Sequence, residues 1–191
     1  MPQYVADSKL NLAIEMEMIM KFTTLEDILI DELKDLYSAE HQLVKALPLI
    51  AKAVDSEDLR SVFVEHLKQT HKHVERLEKI CQKLDINPKG KKCVGMEGLI
   101  EEGAEFLNGK GESEPLEAGM IGAAQRVEHY EIAAYGTARA HARQLGFTEI
   151  ADLLDQTLTE EKQANDKLTY IAENKINVQA AMSNTKEAMK M

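Results

Sequence analysis

The chain contains no tryptophan and only four prolines, and aromatic residues make up 5% of its 191 positions. Scarce proline leaves long stretches free to run as regular helix. Ala, Leu, Glu, Lys, Met and Gln dominate, all strong helix formers, so an all-α class is expected. Cysteine is also scarce. Cys81 and Cys93 are too few for a disulfide framework and too far apart for a Cys-x-x-Cys motif, which leaves reduced residues in a cytoplasmic protein. No apolar run approaches a membrane span, which excludes a membrane partner at this level. The apolar opening, residues 5–22, contains Asp7, Glu15 and Glu17 and lacks a basic start, so it does not read as a signal peptide. Positive charge is in the minority, with 23 Lys and Arg against 33 Asp and Glu, a net charge of −10 and a pI near 5.1. Such a surface repels phosphates, arguing against nucleic acid while favouring cations. No P-loop, dinucleotide fingerprint or hydrolase elbow occurs.

What is present is periodic. Thr23 or Thr24 supplies an N-cap, with Glu26 and Asp27 in the first turn where the helix dipole favours acids. Leu25, Leu29, Leu36, Leu43, Leu47, Ile50 and Val54 then repeat at helical spacing, with Pro48 expected to kink the helix near its end. A polar break at residues 55–58 starts a second helix, striped by Leu59, Phe63, Leu67, Thr70, Val74, Leu77 and Leu84. A third is expected from about Leu116 to Leu145, ended by Gly146, and a fourth after Thr148 carries Ile150, Leu154, Thr157, Leu168 and Ile171.

The link between the two hairpins decides the topology. Residues 85–115 hold six glycines and one short helix expected around Met96 to Leu107. A tight turn needs only a few residues, so this length reads as a crossover along the bundle. The expected fold is a ferritin-like four-helix bundle, two antiparallel hairpins joined by a long crossover. Its boundaries are an extension at 1–22, the bundle at 23–172 and a polar tail at 173–191, short exposed helix or frayed end.

Four positions then stand out. Glu40, Gln69, Glu131 and Glu161 each fall on the stripe of one helix that should face the core. Glu40 lies about fifteen residues before the first turn and Gln69 about fourteen after it. Glu131 lies about sixteen before the second turn and Glu161 about fourteen after it, so all four should be level. An ionised carboxylate in an apolar interior is costly unless something pairs with it. Glu128 lies one turn before Glu131, and His66 and His73 share the edge of the second stripe with Gln69. Hard oxygen ligands with some imidazole suit iron or manganese, and paired carboxylates can bridge two such ions. The competing reading keeps these glutamates at the stripe's edge or pairs them with Arg76, Arg126 or Lys162. Glu32 is read as an edge residue. The full di-iron pattern, a Glu-x-x-His on each of two helices, is absent, because no histidine is preceded three residues earlier by glutamate. Gln69 is neutral and a poor ligand for these metals.

Four stretches carry a family resemblance: TLEDILIDELKDLYSAEHQLVKALP, KKCVGMEGLIEEG, QRVEHYEIAAYGT and LTEEKQANDKL. They resemble the YciF/YciE family of bacterial stress-associated proteins, in the ferritin-like superfamily, over roughly residues 23–172. The resemblance implies a homodimeric four-helix bundle related in architecture to rubrerythrin, made under osmotic or similar stress. It implies acidic positions at Glu40, Glu128, Glu131 and Glu161. It also leads one to expect glutamate at position 69 and aspartate near position 165, where this chain has Gln69 and Asn165.

The expectation is therefore a cytoplasmic stress protein that binds iron or manganese through Glu40, Glu128, Glu131 and Glu161, with His66 or His73 completing the shell and Gln69 at the same level. Redox chemistry is a further step that the residues do not decide. The alternative is a non-catalytic dimeric interaction protein with a vestigial metal site.

Overall fold

The computed structural model describes residues 22–188. Helix α1 spans Leu25–Ala53 and opens on a capping box. Thr24 Oγ1 accepts from the Asp27 amide at 3.0 Å while Asp27 Oδ2 accepts from the Thr24 amide at 2.8 Å and from Thr23 Oγ1 at 2.8 Å. Those donors, led by the Thr23 hydroxyl, hold the exposed Asp27 carboxyl down at about 2. The helix runs on through Pro48. Residues 54–56 return the chain into α2, Glu57–Lys83, whose N-cap is Ser56.

Both long hairpin partners end on left-handed residues. After α2, Asp85 takes φ 52°, and the amides of Asp85 and Ile86 bond back to Gln82 and Cys81. After the helix Ser113–Gln144, Gly146 takes φ 79°, and the amides of Gly146 and Phe147 bond back to Arg143 and Ala142. Each is the paired bond pattern that satisfies a helix's last carbonyls. Glycine adopts that backbone without Cβ strain, so Gly146 ends its helix as expected.

Helix α3 covers Val94–Leu107, α4 Ser113–Gln144 and α5 Thr148–Ile171. Thus α4 starts about a turn earlier than the apolar stripe suggested. Helix α1 packs on α2 and α4, and α5 packs on α2 and α4, while α3 lies across α1 and α4. Contacts set the directions. Glu32 meets His141 near one end of α1 and Asp55 meets Ser113 near the other, so α1 and α4 are antiparallel. Arg76 meets Glu160 and Glu65 meets Lys167, so α2 and α5 are antiparallel too. The chain therefore runs up, down, down, up, and residues 84–112 climb the bundle to start α4 beside the first turn. Glu117 of α4 fastens that turn, accepting from the amides of Asp55 at 2.6 Å and Ser56 at 2.8 Å.

The tail takes the helical alternative, with one buried anchor. Residues 173–188 continue α5 through a π-helical turn, Ala172–Ile176, into α6, Asn177–Ala188. Ile176 is 1% exposed and joins the core, and Lys175 pairs with Asp58 of α2. The polar composition of the segment hid this one apolar anchor. The extension call at 1–22 lies, except for Phe22, outside the described residues.

Two apolar clusters fill the bundle. One, near the first turn, contains Leu43, Leu47, Phe63, Met96, Val127 and Leu168. The other, near the second turn, contains Leu29, Leu33, Leu36, Val74, Leu77, Tyr135, Leu154 and Leu158. On every long helix the residues between these clusters include buried polar ones.

Candidate metal centre

The polar layer is built one helix at a time. On α1, Glu40 sits between Leu36 and Leu43. On α4, Glu128 and Glu131 sit between Val127 and Tyr135. On α5, Glu161 follows Leu158. On α2, His66, Thr70 and His73 lie between Phe63 and Val74. All of these polar residues are at most 4% exposed. Helical spacing carries them inward with the leucines, since residues three, four and seven apart share a face.

Their ligand atoms converge in two groups that share Glu161. His66, Glu128, Glu131 and Glu161 offer atoms all within 4.8 Å of one another, and so do Glu40, His73 and Glu161. His66 Nε2 is 3.5 Å from Glu128 Oε1 and 3.9 Å from Glu161 Oε2. His73 Nδ1 is 2.9 Å from Glu161 Oε1 and 3.3 Å from Glu40 Oε1. The 2.9 Å contact is short enough for an ion pair but is not aligned as a hydrogen bond. Tyr135 donates to Glu40 Oε1 at 2.5 Å.

Gln69 stands apart. It is half-buried on the flank of the His66–His73 row, while its neighbour Thr70 turns fully inward and donates to the His66 carbonyl at 3.0 Å. The ligand atoms that α2 brings to the two groups are those of two histidines, at i and i+7. A polar row in register with Phe63, Val74 and Leu77 is the sequence signal for His73. No pattern in sequence shows where a phenol such as that of Tyr135, or a flanking carboxylate such as that of Glu160, will aim. Glu32 is half-buried and meets His141 Nδ1 at 2.9 Å. Tyr37 reaches Glu78 at 3.1 Å, away from the layer.

Two of the three basic residues proposed as internal partners go elsewhere. Arg76 pairs with Glu160 and Arg126 with Glu102. Among the described residues no ion pair joins Lys or Arg to Glu40, Glu128, Glu131 or Glu161. Cys81 and Cys93 are buried and unpaired, and Cys93 Sγ lies 2.9 Å from the Tyr130 hydroxyl.

Proton sharing is uneven. Burial first, then the neighbouring Glu161 charge, pushes Glu128 and Glu131 well above the carboxylate range. Burial also raises Glu40. Burial acts to raise Glu161 too, but His73 overrides it and holds that carboxyl low. For His73 burial disfavours charge, yet Glu40, Glu160 and Glu161 together push it up to about 12. The His73 ring is thus held between carboxylates of α1 and α5.

The donor set fits a cation. Both oxygens of Glu131, both of Glu161, Oε2 of Glu40 and Glu128, and both nitrogens of His66 are buried without a hydrogen-bond partner. Buried polar atoms are rarely left so in native proteins, and a concentration of them calls for a reason such as an ion. Carboxylate oxygens with imidazole form a set suited to iron or manganese.

Comparison with known proteins places this chain in a family. Residues 24–181 match the family described as Domain of unknown function (DUF892). The chain is 45% identical to Protein YciF of Escherichia coli strain K12 over 162 residues, covering 84% of this chain and 98% of that protein. The crystal structure of the E. coli stress protein YciF superposes with a TM-score of 0.79, covering 82% of this chain and 99% of the other. A protein from Rhodopseudomonas palustris named YcfI superposes with a TM-score of 0.75 at 40% identity, covering 80% and 96%. A protein from Xanthomonas campestris, 17% identical with a TM-score of 0.67, covers 85% and 99% and shares the fold. With the family matched over most of its length, and a relative matched nearly end to end, the chain belongs to the DUF892 family and is a homologue of YciF.

Proposed function

We propose that this protein binds iron or manganese in the centre of its bundle and serves in a stress response as a cytoplasmic homodimer. The observation that carries the metal reading is Glu131. Both its oxygens are fully buried without a hydrogen bond, and one of them lies within 4.8 Å of ligand atoms of His66, Glu128 and Glu161. Leaving a buried polar group unpaired costs about 1–3 kcal/mol, more if charged, so the layer is expensive unless a cation satisfies it.

Glu131, Glu128, His66 and Glu161 would hold one ion, and Glu40, His73 and Glu161 the second, with Glu161 common to both. When bound, such ions supply Lewis-acid and redox chemistry. The chain's own contribution is to place ligands from four helices at one level, orient Glu40 through Tyr135, and keep water out with apolar clusters on either side. The stress role is supported by the E. coli relative, which is described as a stress protein. The homodimer is supported by an apolar groove between α1, α3 and α4, lined by Leu43, Ile50, Leu99 and Met120, with Leu49 64% exposed at its edge. No described helix is long and apolar enough to cross a membrane.

A second reading rests on His73. When protonated, its imidazole supplies a cation between Glu40 and Glu161, and Gln69 is only half-buried, as expected of an interaction bundle with a vestigial site. Elemental analysis separates the two. After anaerobic reconstitution with ferrous iron or manganese, the expected content is about two ions per chain. That metal is lost in Glu131→Ala with the helical circular dichroism intact. Metal content unchanged by Glu131→Ala overturns the site. No retained metal, with a melting temperature indifferent to chelators, supports the interaction protein. Size-exclusion chromatography at the mass of two chains supports the dimer and excludes a ferritin-like cage.

A further inference from the structure

Glu160 and Glu161 are adjacent on α5 but serve different neighbours. Glu161 turns into the polar layer. Glu160, with its side chain 21% exposed, faces α2, where Arg76 Nη1 donates to its Oε2 at 2.6 Å and Arg76 Nη2 to its Oε1 at 2.8 Å. Arg76 is itself steadied by Thr157 Oγ1 at 3.1 Å. The same Glu160 Oε2 lies 2.8 Å from Nε2 of His73.

This settles the hydrogen in the His73–Glu160 bond. A carboxylate gripped at both oxygens by a guanidinium stays ionised and has no hydrogen to give. The hydrogen is therefore on Nε2, and the imidazole donates. With Nε2 committed outward, the ring has one orientation, and Nδ1 faces Glu161 and Glu40 at 2.9 and 3.3 Å. His66 has no such arrangement, since neither of its ring nitrogens has a hydrogen-bond partner. Histidine ligands in proteins commonly donate their other N–H to a carboxylate, which fixes the ring and raises its basicity. Only one of the two histidines here is so equipped.

We propose that Glu160, clamped by Arg76, is a positioning residue that holds His73 with Nδ1 turned to Glu40 and Glu161, making the two metal positions inequivalent. The inference rests on the metal reading above. The Glu40–His73–Glu161 position depends on a carboxylate–guanidinium pair outside the donor set. The His66–Glu128–Glu131–Glu161 position does not. This chain, which lacks Glu-x-x-His, takes both imidazoles from α2 and supports one of them from the neighbouring α5.

The test is Co(II) titration of the full chain, stripped of metal and followed by calorimetry and visible absorption. Wild type is compared with Glu160→Ala and with Glu160→Gln, whose carbonyl can still accept from Nε2. The expected result is loss of about 10–100-fold in affinity for one of the bound ions in Glu160→Ala, the scale for removing such an outer partner. The other ion keeps its affinity, the Co(II) bands change, and Glu160→Gln returns toward wild type. Glu160→Ala binding Co(II) as wild type does overturns this inference alone. Equal weakening of both ions in the alanine and glutamine variants also overturns it, because the effect then comes through the fold. A wild-type chain that takes up no Co(II) overturns the metal reading, and this inference with it.

Discussion

The phenol of Tyr135 on α4 donates to Oε1 of Glu40 on α1 at 2.5 Å, across the middle of the bundle, with both side chains fully buried. Among the described residues it is the only hydroxyl bonded to a carboxylate of the polar layer. It leaves Oε2 of Glu40 without a partner and free to serve a ligand.

Removing that hydroxyl should weaken the fold. In Tyr135→Phe the ring still fills its place beside Ala138 and Leu154, but Glu40 loses its donor in a dry interior. The expected cost is about 1–3 kcal/mol, read from urea unfolding of metal-stripped protein. A variant as stable as wild type would show that Glu40 is buried in its neutral form and does not need the bond.

The stripped protein should also lose stability as pH rises. Glu131 has a folded pKa well above the ordinary 4.5, chiefly because of burial and then the Glu161 charge. Above the ordinary value the unfolded chain therefore holds fewer protons than the native one, so the unfolding free energy falls with pH. Each proton of difference is worth about 1.4 kcal/mol per pH unit. Glu131→Gln cannot take part, so its stability should fall less steeply between about pH 5 and 7. Urea midpoints for both proteins across that range provide the check, and parallel curves would refute it.

The seat of α3 on α4 can be tested with glycines. A Cβ at Gly119 would lie 2.3 Å from Cδ1 and Cε1 of Phe106, whereas one at Gly98 would meet nothing within 4 Å. Gly119→Ala should destabilise by about 1–3 kcal/mol through overpacking. Gly98→Ala, inside α3, should stabilise by about 0.5–1 kcal/mol through lower backbone entropy in the unfolded chain. Thermal melts of the two variants should move in opposite directions. A stabilised Gly119→Ala would mean that Phe106 swings away and does not anchor the crossover.

Much of the architecture was legible before any coordinates. Leu29, Leu36, Leu43 and Leu47 specify one face of α1, and Glu40 travels inward with them because it shares their spacing. The same holds for Glu131 among Val127 and Ala138, and for Glu161 among Leu154 and Leu168. The crossover was legible from length and glycine content. These features depend on local periodicity and chain reach, which a linear string carries in full.

Other features were decided only in three dimensions. Gln69 and Thr70 are adjacent on α2 with the same stripe around them, and the rotation of that helix against α5 turned Thr70 in and left Gln69 on the flank. Glu128 and Glu131 were legible as one turn apart, but not that His66 would reach both Glu128 and Glu161. That His73 Nδ1 meets Glu40 and Glu161 while Nε2 meets Glu160, and that Arg76 clamps Glu160 rather than pairing with the buried acids, depends on side chains from separate helices meeting within hydrogen-bond distance. The docking of Ile176 is of the same kind. Helical period decides which face a residue occupies, and thus which residues this sequence buries by itself. Which buried groups pair with one another depends on how the helices rotate and level against their neighbours, and only the assembled bundle determines that.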